Sequence, residues 1–387
     1  SVQVLLVLTI YQINASIRSC LDGCPVKPKL CDANPPEYLI MHIFDLIVFT
    51  IYILGVLAIG GAFYKSNKTS SAFILGDQKV PAWVVSLSFF ATFVSSISYL
   101  ALPGSAFQGD WSALTFSLSI PFAAVIAIYV FIPLYRRIQS PSAYAYLEER
   151  FGLWARIYAS IMYLLTQLMR VGTILYLMAL AVYTVVELPM VTIIIFTGTL
   201  VAIYSMLGGI QAVVWTDAVQ AVILIGGALL TIIILIIEIP LQASETINVA
   251  FDGGKFNLGA FHLGYSEATF WVILVYGIFI NLQNYGIDQN YVQRYMMARS
   301  DNEAKKTAFW GGMLYIPVSM MFLLIGSLLF VFYNTGDASL PASISVTDNA
   351  DQVFPYFIVH ELPPGVTGIL IASIFAAGMS TISTSFN

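Results

Sequence analysis

Stretches of about twenty apolar residues recur along the whole chain, and no other feature restricts its folding so severely. A bilayer core about 30 Å thick is crossed by about 20 apolar residues in a helix, and the 387 residues hold about nine such runs. They lie at roughly 40–64, 82–107, 113–135, 157–184, 190–213, 214–238, 269–290, 307–332 and 364–387. Only 10% of residues are charged, against about a quarter in soluble domains. In lipid every backbone polar group must be paired within its own helix or a closed barrel, and runs of this length are helices. The expected fold class is an all-α membrane protein, a polytopic helical bundle in the lipid bilayer. The net charge of −5 offers phosphate no basic surface, so no nucleic-acid partner is expected.

Lysine and arginine orient the bundle. Lys65, Lys68 and Lys79 follow the first span, Arg136, Arg137, Arg150 and Arg156 the third, and Arg294, Arg299, Lys305 and Lys306 the seventh. The opposite loops, 239–268 and 333–363, carry only Lys255. By the positive-inside rule the basic loops are cytoplasmic, and residues 1–39 form an extracytoplasmic segment before a transmembrane domain at 40–387. Cys20, Cys24 and Cys31 cluster in that segment, which suits an oxidising compartment and one disulfide, with a zinc site as the weaker alternative. The apolar stretch Val2–Ile10 reads as the end of a signal peptide or as a clipped helix. Both ends read as truncated, so the bundle is expected to be incomplete at its C-terminus. Loop 136–156 should hold a short amphipathic surface helix, and the long opposite loops a further short helix.

Charges inside a membrane cost on the order of 3 kcal/mol on insertion scales and usually serve function. Asp45 lies near one end of the first span, beside His42, and reads as a structural anchor reaching the interface. Asp217, crowded by Thr216 and Gln220 after Gly208-Gly209, is either an interfacial carboxylate or a cation ligand or relay. Arg170 is deep in the fourth span, with Tyr163, Thr166, Gln167 and Thr173 at helical spacings. It must face a wet cavity, bind an anionic ligand, or pair internally, with Asp217 as the partner.

Hydroxyls mark two further spans. The second contains Ser88, Thr92, Ser95, Ser96 and Ser98 before Pro103-Gly104, a pattern that suits either helix–helix contact or a helix that unwinds and frees carbonyls. The ninth brings Ala377, Ser380, Thr381 and Thr384 onto one face. Na⁺ is a hard ion, and carbonyls with neutral hydroxyls bind it without a permanent charge that would stop it leaving. The seventh span ends in Asn281-Leu282-Gln283-Asn284-Tyr285-Gly286, amides suited to a polar solute with a glycine that permits a break. Interrupted helices in corresponding positions of two halves point to a transporter's central site. The second and seventh spans stand five apart, as in a five-plus-five inverted repeat.

Together with Lys68–Gly76, Ala91–Ser96, Gly208–Asp217, Gln289–Arg294 and Ala376–Thr384, these residues identify the chain as resembling the sodium/solute symporter family, whose members carry sugars, proline and sialic acids. The resemblance covers almost everything after residue 40. It implies a LeuT-type core with the first span outside the repeat. It also implies a sodium site of the Ala91, Val94 and Ala377 carbonyls with the Ser380 and Thr381 hydroxyls, and Asp217 nearby. Arg170 resembles the arginine that grips a substrate carboxylate, and Ser95 and Ser98 the substrate-facing hydroxyls. Asn281 and Asn284 complete the candidate substrate residues. Ser117 and Asn284 differ from the usual sugar-site Glu and gating Tyr, which turns the expectation away from a neutral hexose. The expected function is inner-membrane symport: Na⁺ drives import of a small carboxylated solute such as sialic acid by alternating access. A sodium/sugar symporter and a transmembrane sensor on the same fold are the alternatives. No zinc motif, nucleophile elbow or phosphate loop suggests an enzyme.

Overall fold

In the computed structural model the described residues are 42–386, less short stretches at 65–69, 77–79, 139, 141, 184–188, 265–266, 337, 342–343 and 345–348. The cysteines and the apolar stretch before them, with the disulfide and signal-peptide expectations, lie outside the described residues.

The first span is α1 (Ile43–Ala62), followed by the short α2 (Ser70–Leu75). The second is a pair, α3 (Ala82–Phe93) and α4 (Ser96–Gln108), bent by 54°. The third passes through α5 (Leu114–Leu118), α6 (Ile120–Ile126), a π-helical turn at Ala127–Phe131 and α7 (Ile132–Ile138). The surface helix expected in loop 136–156 is α8 (Ala145–Phe151), and α9 (Leu153–Tyr183) is the fourth span.

Next, α10 (Met190–Glu238) runs for 49 residues, about 74 Å at 1.5 Å per residue, more than twice a bilayer core. Gly209 divides it into the fifth and sixth spans with φ 55° and ψ −161°, a conformation essentially confined to glycine. After α11 (Ala243–Asp252) comes a second bent pair, α12 (Phe270–Gly286) and α13 (Gln289–Met296), at 55°. The eighth span is α14 (Asp301–Met313) continued by α15 (Tyr315–Thr335). The short α16 (Val353–His360) leads to the ninth, α17 (Val366–Phe386). Six long apolar runs, two bent pairs and the division of α10 give nine spans among the described residues.

The spans differ in their surroundings. α17 is enclosed along nearly its whole length, whereas α9 shows most of its surface outward. Small residues let neighbours approach α17: a side chain at Gly227 of α10 would meet the Ser373 hydroxyl, and one at Gly368 would meet the Asp45 backbone of α1. Such close approach is the main source of helix association where lipid is as apolar as leucine.

The structure adds partners for Asp45 and Lys255 and moves the break of the second span. Asp45 is buried, and one carboxylate oxygen accepts the N–H groups of Gly365 and Gly368, each at 2.7 Å. It caps the start of α17 from α1, because the first N–H groups of a helix lack partners within it. The second span unwinds at Val94 and Ser95, both extended, while Pro103 lies inside α4. Gly104 instead lets the Ala350–Gln352 turn approach, its hypothetical Cβ standing 2.8 Å from the Ala350 carbonyl. Lys255, the one basic residue of loop 239–268, is buried. Its Nζ donates to the Phe107 and Gly109 carbonyls at 2.8 and 3.1 Å and lies 4.0 Å over the Phe330 ring. A cation suits the end of α4, although burial lowers its pKa.

Candidate functional site

The last carbonyls of α3 have no N–H four residues on, since the helix stops, and they turn to other elements. Thr92 O accepts from the Tyr291 hydroxyl of α13 at 3.1 Å, and Val94 O from the Thr381 hydroxyl of α17 at 3.3 Å. Thr381 Oγ1 also lies 3.2 Å from Ala377 O, and Ser380 Oγ 3.1 Å from the same carbonyl. Four of the five sodium donors expected from the sequence therefore meet where α3 stops against α17. Ala91, the fifth, is buried in the same last turn of α3. Every donor is a neutral oxygen, and the hydroxyls can turn their lone pairs to a cation by rotating one bond.

Beyond the break, Ser95 caps α4 by accepting from Ser98 N at 3.4 Å, and the two hydroxyls lie 3.5 Å apart. Both are half-buried. Asn281 is fully buried, donating to Ser119 Oγ at 2.9 Å, and Asn284 reaches back to Asn281 Oδ1 at 3.5 Å. Asn281 is thus committed to the third span, and Asn284 is the more accessible amide. Just before the bend, Gly286 packs against the third span, a Cβ there standing 2.7 Å from the Phe131 ring.

The polar stripe around Arg170 divides. Tyr163, Gln167 and Arg170 share one face of α9, directed at the bend of the seventh span. Tyr163 donates to Asp288 Oδ1 at 3.1 Å, and Gln167 Oε1 accepts from Ser385 at 2.9 Å. Arg170 Nη1 lies 3.5 Å from Asp288 Oδ2. Thr166 and Thr173 are exposed and donate to the Met162 and Met169 carbonyls of their own helix. No hydrogen bond among the described residues joins Arg170 to Ser95, Ser98, Asn281 or Asn284.

Asp217 is not the partner of Arg170. Fully buried, it is paired at 2.7 Å with Arg294, which is equally buried and is therefore not the loop cation that charge counting suggests. Ser88 donates to the same Asp217 oxygen at 2.7 Å, and Ser383 reaches the other at 3.4 Å. Arg294 further donates to Asn290 O, Ser88 and Thr384. This network joins α3, α10, α13 and α17. It touches the hydroxyl cluster through Ser383, which also donates to Ser380 O at 3.0 Å.

Sequence reasoning missed Arg294, Asp288 and Ser383. For Asp288 a signal exists: an Asp just after a permissive glycine and before a polar helix is a helix start, and such a start in mid-membrane marks a break. Arg294 carries no such mark, since burial of a basic residue next to a loop depends on what folds over it.

Comparison with known proteins finds a matching family and several relatives. The sodium:solute symporter family matches residues 73–387. The sodium/sialic acid symporter SiaT of Proteus mirabilis is 33% identical over 351 residues, covering 90% of this chain and 70% of that protein. The sodium/sialic acid symporter NanT of Aliivibrio fischeri is 30% identical, with coverage of 89% and 67%. The human sodium-coupled monocarboxylate transporter 1 is 28% identical, over 89% of this chain and 57% of its own length. A solved Na⁺-coupled sialic acid symporter, in a substrate-bound outward-open state described as revealing a novel Na⁺-site, superposes with a TM-score of 0.85 at 33% identity. That likeness covers 89% of this chain and 72% of the other.

Proposed function

The chain belongs to the sodium:solute symporter family, and from that premise we propose that it imports a sialic acid, or a closely similar carboxylated solute, together with Na⁺. It is a multi-pass membrane protein of LeuT-type fold. We read its membrane as the inner membrane, the basic loops as cytoplasmic, residues 1–39 as extracytoplasmic and 40–387 as the transport domain.

The observation that carries the coupling is the convergence of Val94 O, Ala377 O, Ser380 Oγ and Thr381 Oγ1 where α3 stops against α17. A cation held there by Ala91, Val94, Ala377, Ser380 and Thr381 would join the broken second span to the enclosed ninth. Asp217, one hydroxyl removed through Ser383, would lower the energy of a cation in the region without being held to it. The membrane potential supplies about 2.3 kcal/mol per charge per 100 mV for inward movement.

For the solute, Arg170 supports a carboxylate. Its guanidinium is half-buried and makes a single long contact, so an edge with two parallel donors is available, which lysine cannot reproduce. Ser95, Ser98 and Asn284 would serve the polar remainder, with Asn281 holding Asn284.

The test is uptake by the full-length protein in proteoliposomes. Sialic acid should accumulate under an inward sodium gradient and not under a potassium one. Arg170→Lys should cost about 2–3 kcal/mol of binding, roughly a hundredfold in affinity. Glucose transported as well as sialic acid, with no effect of Arg170→Lys, would transfer the reading to a sugar carrier.

A further inference from the structure

Asp288 stands at the bend of the seventh span, where α12 has ended and α13 has not begun, and its side chain is already well served. Oδ1 accepts from the Asn290 backbone N–H at 2.9 Å, as an N-cap, and from the Tyr163 hydroxyl at 3.1 Å. Only Oδ2 is turned to Arg170, at 3.5 Å, well beyond the roughly 2.7–2.9 Å of a charge-assisted hydrogen bond. The Arg170 side chain is 31% exposed. Its guanidinium makes no other hydrogen bond or ion pair among the described residues. The two members of the pair are therefore unequal: Asp288 is fixed by its own helix and by Tyr163, while Arg170 is tethered at one corner.

We propose that Asp288 is an internal stand-in for the substrate's carboxylate, holding Arg170 at the site by one long contact and giving it up when an acid offers two oxygens. The proposal rests on the reading of Arg170 as the substrate clamp. The exchange is favourable because it is one-sided. Asp288 loses its longest contact and keeps the Asn290 N–H and Tyr163. Arg170 replaces a single long contact with a parallel pair of charge-assisted bonds. The same exchange undoes a tie between α9 and the bend of the seventh span, so the arrival of an acid frees that bend. A neutral analogue has nothing to trade for the guanidinium and leaves the tie in place. Asp288 is thereby a specificity-determining residue: its charge sets how strong an anion must be to capture Arg170.

Binding of sialic acid and of its carboxamide to the purified full-length protein, measured by calorimetry at saturating sodium, tests this. Asp288→Asn removes the competing charge and keeps a side chain that caps helices well. The acid should then bind about five- to tenfold more tightly, with the carboxamide unchanged, and Asp288→Glu should restore the original affinity. In an Arg170→Gln background Asp288→Asn should change nothing, since the competition has been removed. If Asp288→Asn does not fold, Asp288→Ser keeps the cap and carries the same expectation. Weaker or unchanged acid binding, or an equal shift for both ligands, overturns the proposal. A large loss of acid affinity in Arg170→Gln with no gain in Asp288→Asn overturns it alone. Unchanged acid affinity in Arg170→Gln removes the clamp reading as well.

Discussion

At the scale of single residues, the two arginines within the bundle have opposite characters. Arg294 is fully buried, with its nitrogens bonded to Asp217, Ser88, Thr384 and the Asn290 carbonyl. Arg170 is half-buried and holds one long contact. Desolvating an ion pair costs several kcal/mol per charge, repaid only by good geometry and further hydrogen bonds; the first arginine has both and the second has neither. Arg294 thus reads as architecture and Arg170 as a group kept for something else. This changes the meaning of an Asp217→Asn substitution, which charge attraction alone would assign to sodium affinity. Removing the charge leaves Arg294 buried and unpaired, at a cost of about 3–5 kcal/mol, so lost stability should dominate. Arg294→Met should cost a similar amount, and the double substitution clearly less than the two together, because both singles break one pair. Unfolding of the purified variants measures this; additive losses would mean that the pair is not a unit.

At the scale of elements, helix ends and breaks decide where the chemistry lies. The start of α17 is held by Asp45, two N–H groups on one carboxylate oxygen at 2.7 Å. Asp45→Ala should therefore destabilise by about 2–3 kcal/mol, and Asp45→Asn by less, since an amide oxygen still accepts. Equal, negligible losses in thermal unfolding would show that α17 needs no such anchor. Gly209 has a similar role between the fifth and sixth spans, and Gly209→Ala should cost about 1–3 kcal/mol, with Gly226→Ala, whose added methyl meets open space, as the neutral control. The spans themselves are legible in the sequence, because twenty apolar residues admit few other outcomes in lipid. The breaks are only partly so. Gly286 and Asp288 mark the second of them, but Pro103 misplaces the first by about two turns. A helix unwinds where its freed carbonyls find partners. Those of Thr92 and Val94 are Tyr291 and Thr381, 199 and 287 residues away along the chain. Hydropathy identifies a segment's solvent and says nothing of such pairings, which is also why Arg294 was legible only as a cytoplasmic cation.

At the scale of the whole molecule, the cation region is where two distant parts of the chain depend on one another. Val94 belongs to the broken second span, whose backbone is extended at that point, and Ala377, Ser380 and Thr381 belong to α17, the most enclosed long span among the described residues. Thr381 makes the direct hydrogen bond across the contact, to Val94 O at 3.3 Å, while Ser380 donates to Ala377 O of its own helix at 3.1 Å. A cation taking oxygens from both sides should strengthen the contact, since it binds the assembled bundle and not the separated helices. Linkage then fixes the size of the effect. Sodium at ten times its dissociation constant should stabilise the full-length protein by about 1.4 kcal/mol, and at a hundred times by about 2.7 kcal/mol. Potassium or choline at the same ionic strength should do neither. Thermal unfolding in detergent reads this without any transport assay, and so without the identity of the solute. Ser380→Ala and Thr381→Ala each remove one oxygen and should shift the sodium titration to higher concentration. Arg170→Lys lies outside the donor set and should leave it in place, which separates the ion's site from the solute's. Equal stabilisation by potassium, or a sodium titration unmoved in both hydroxyl variants, would mean that the contact between α3 and α17 is packing alone and that coupling resides elsewhere in the bundle.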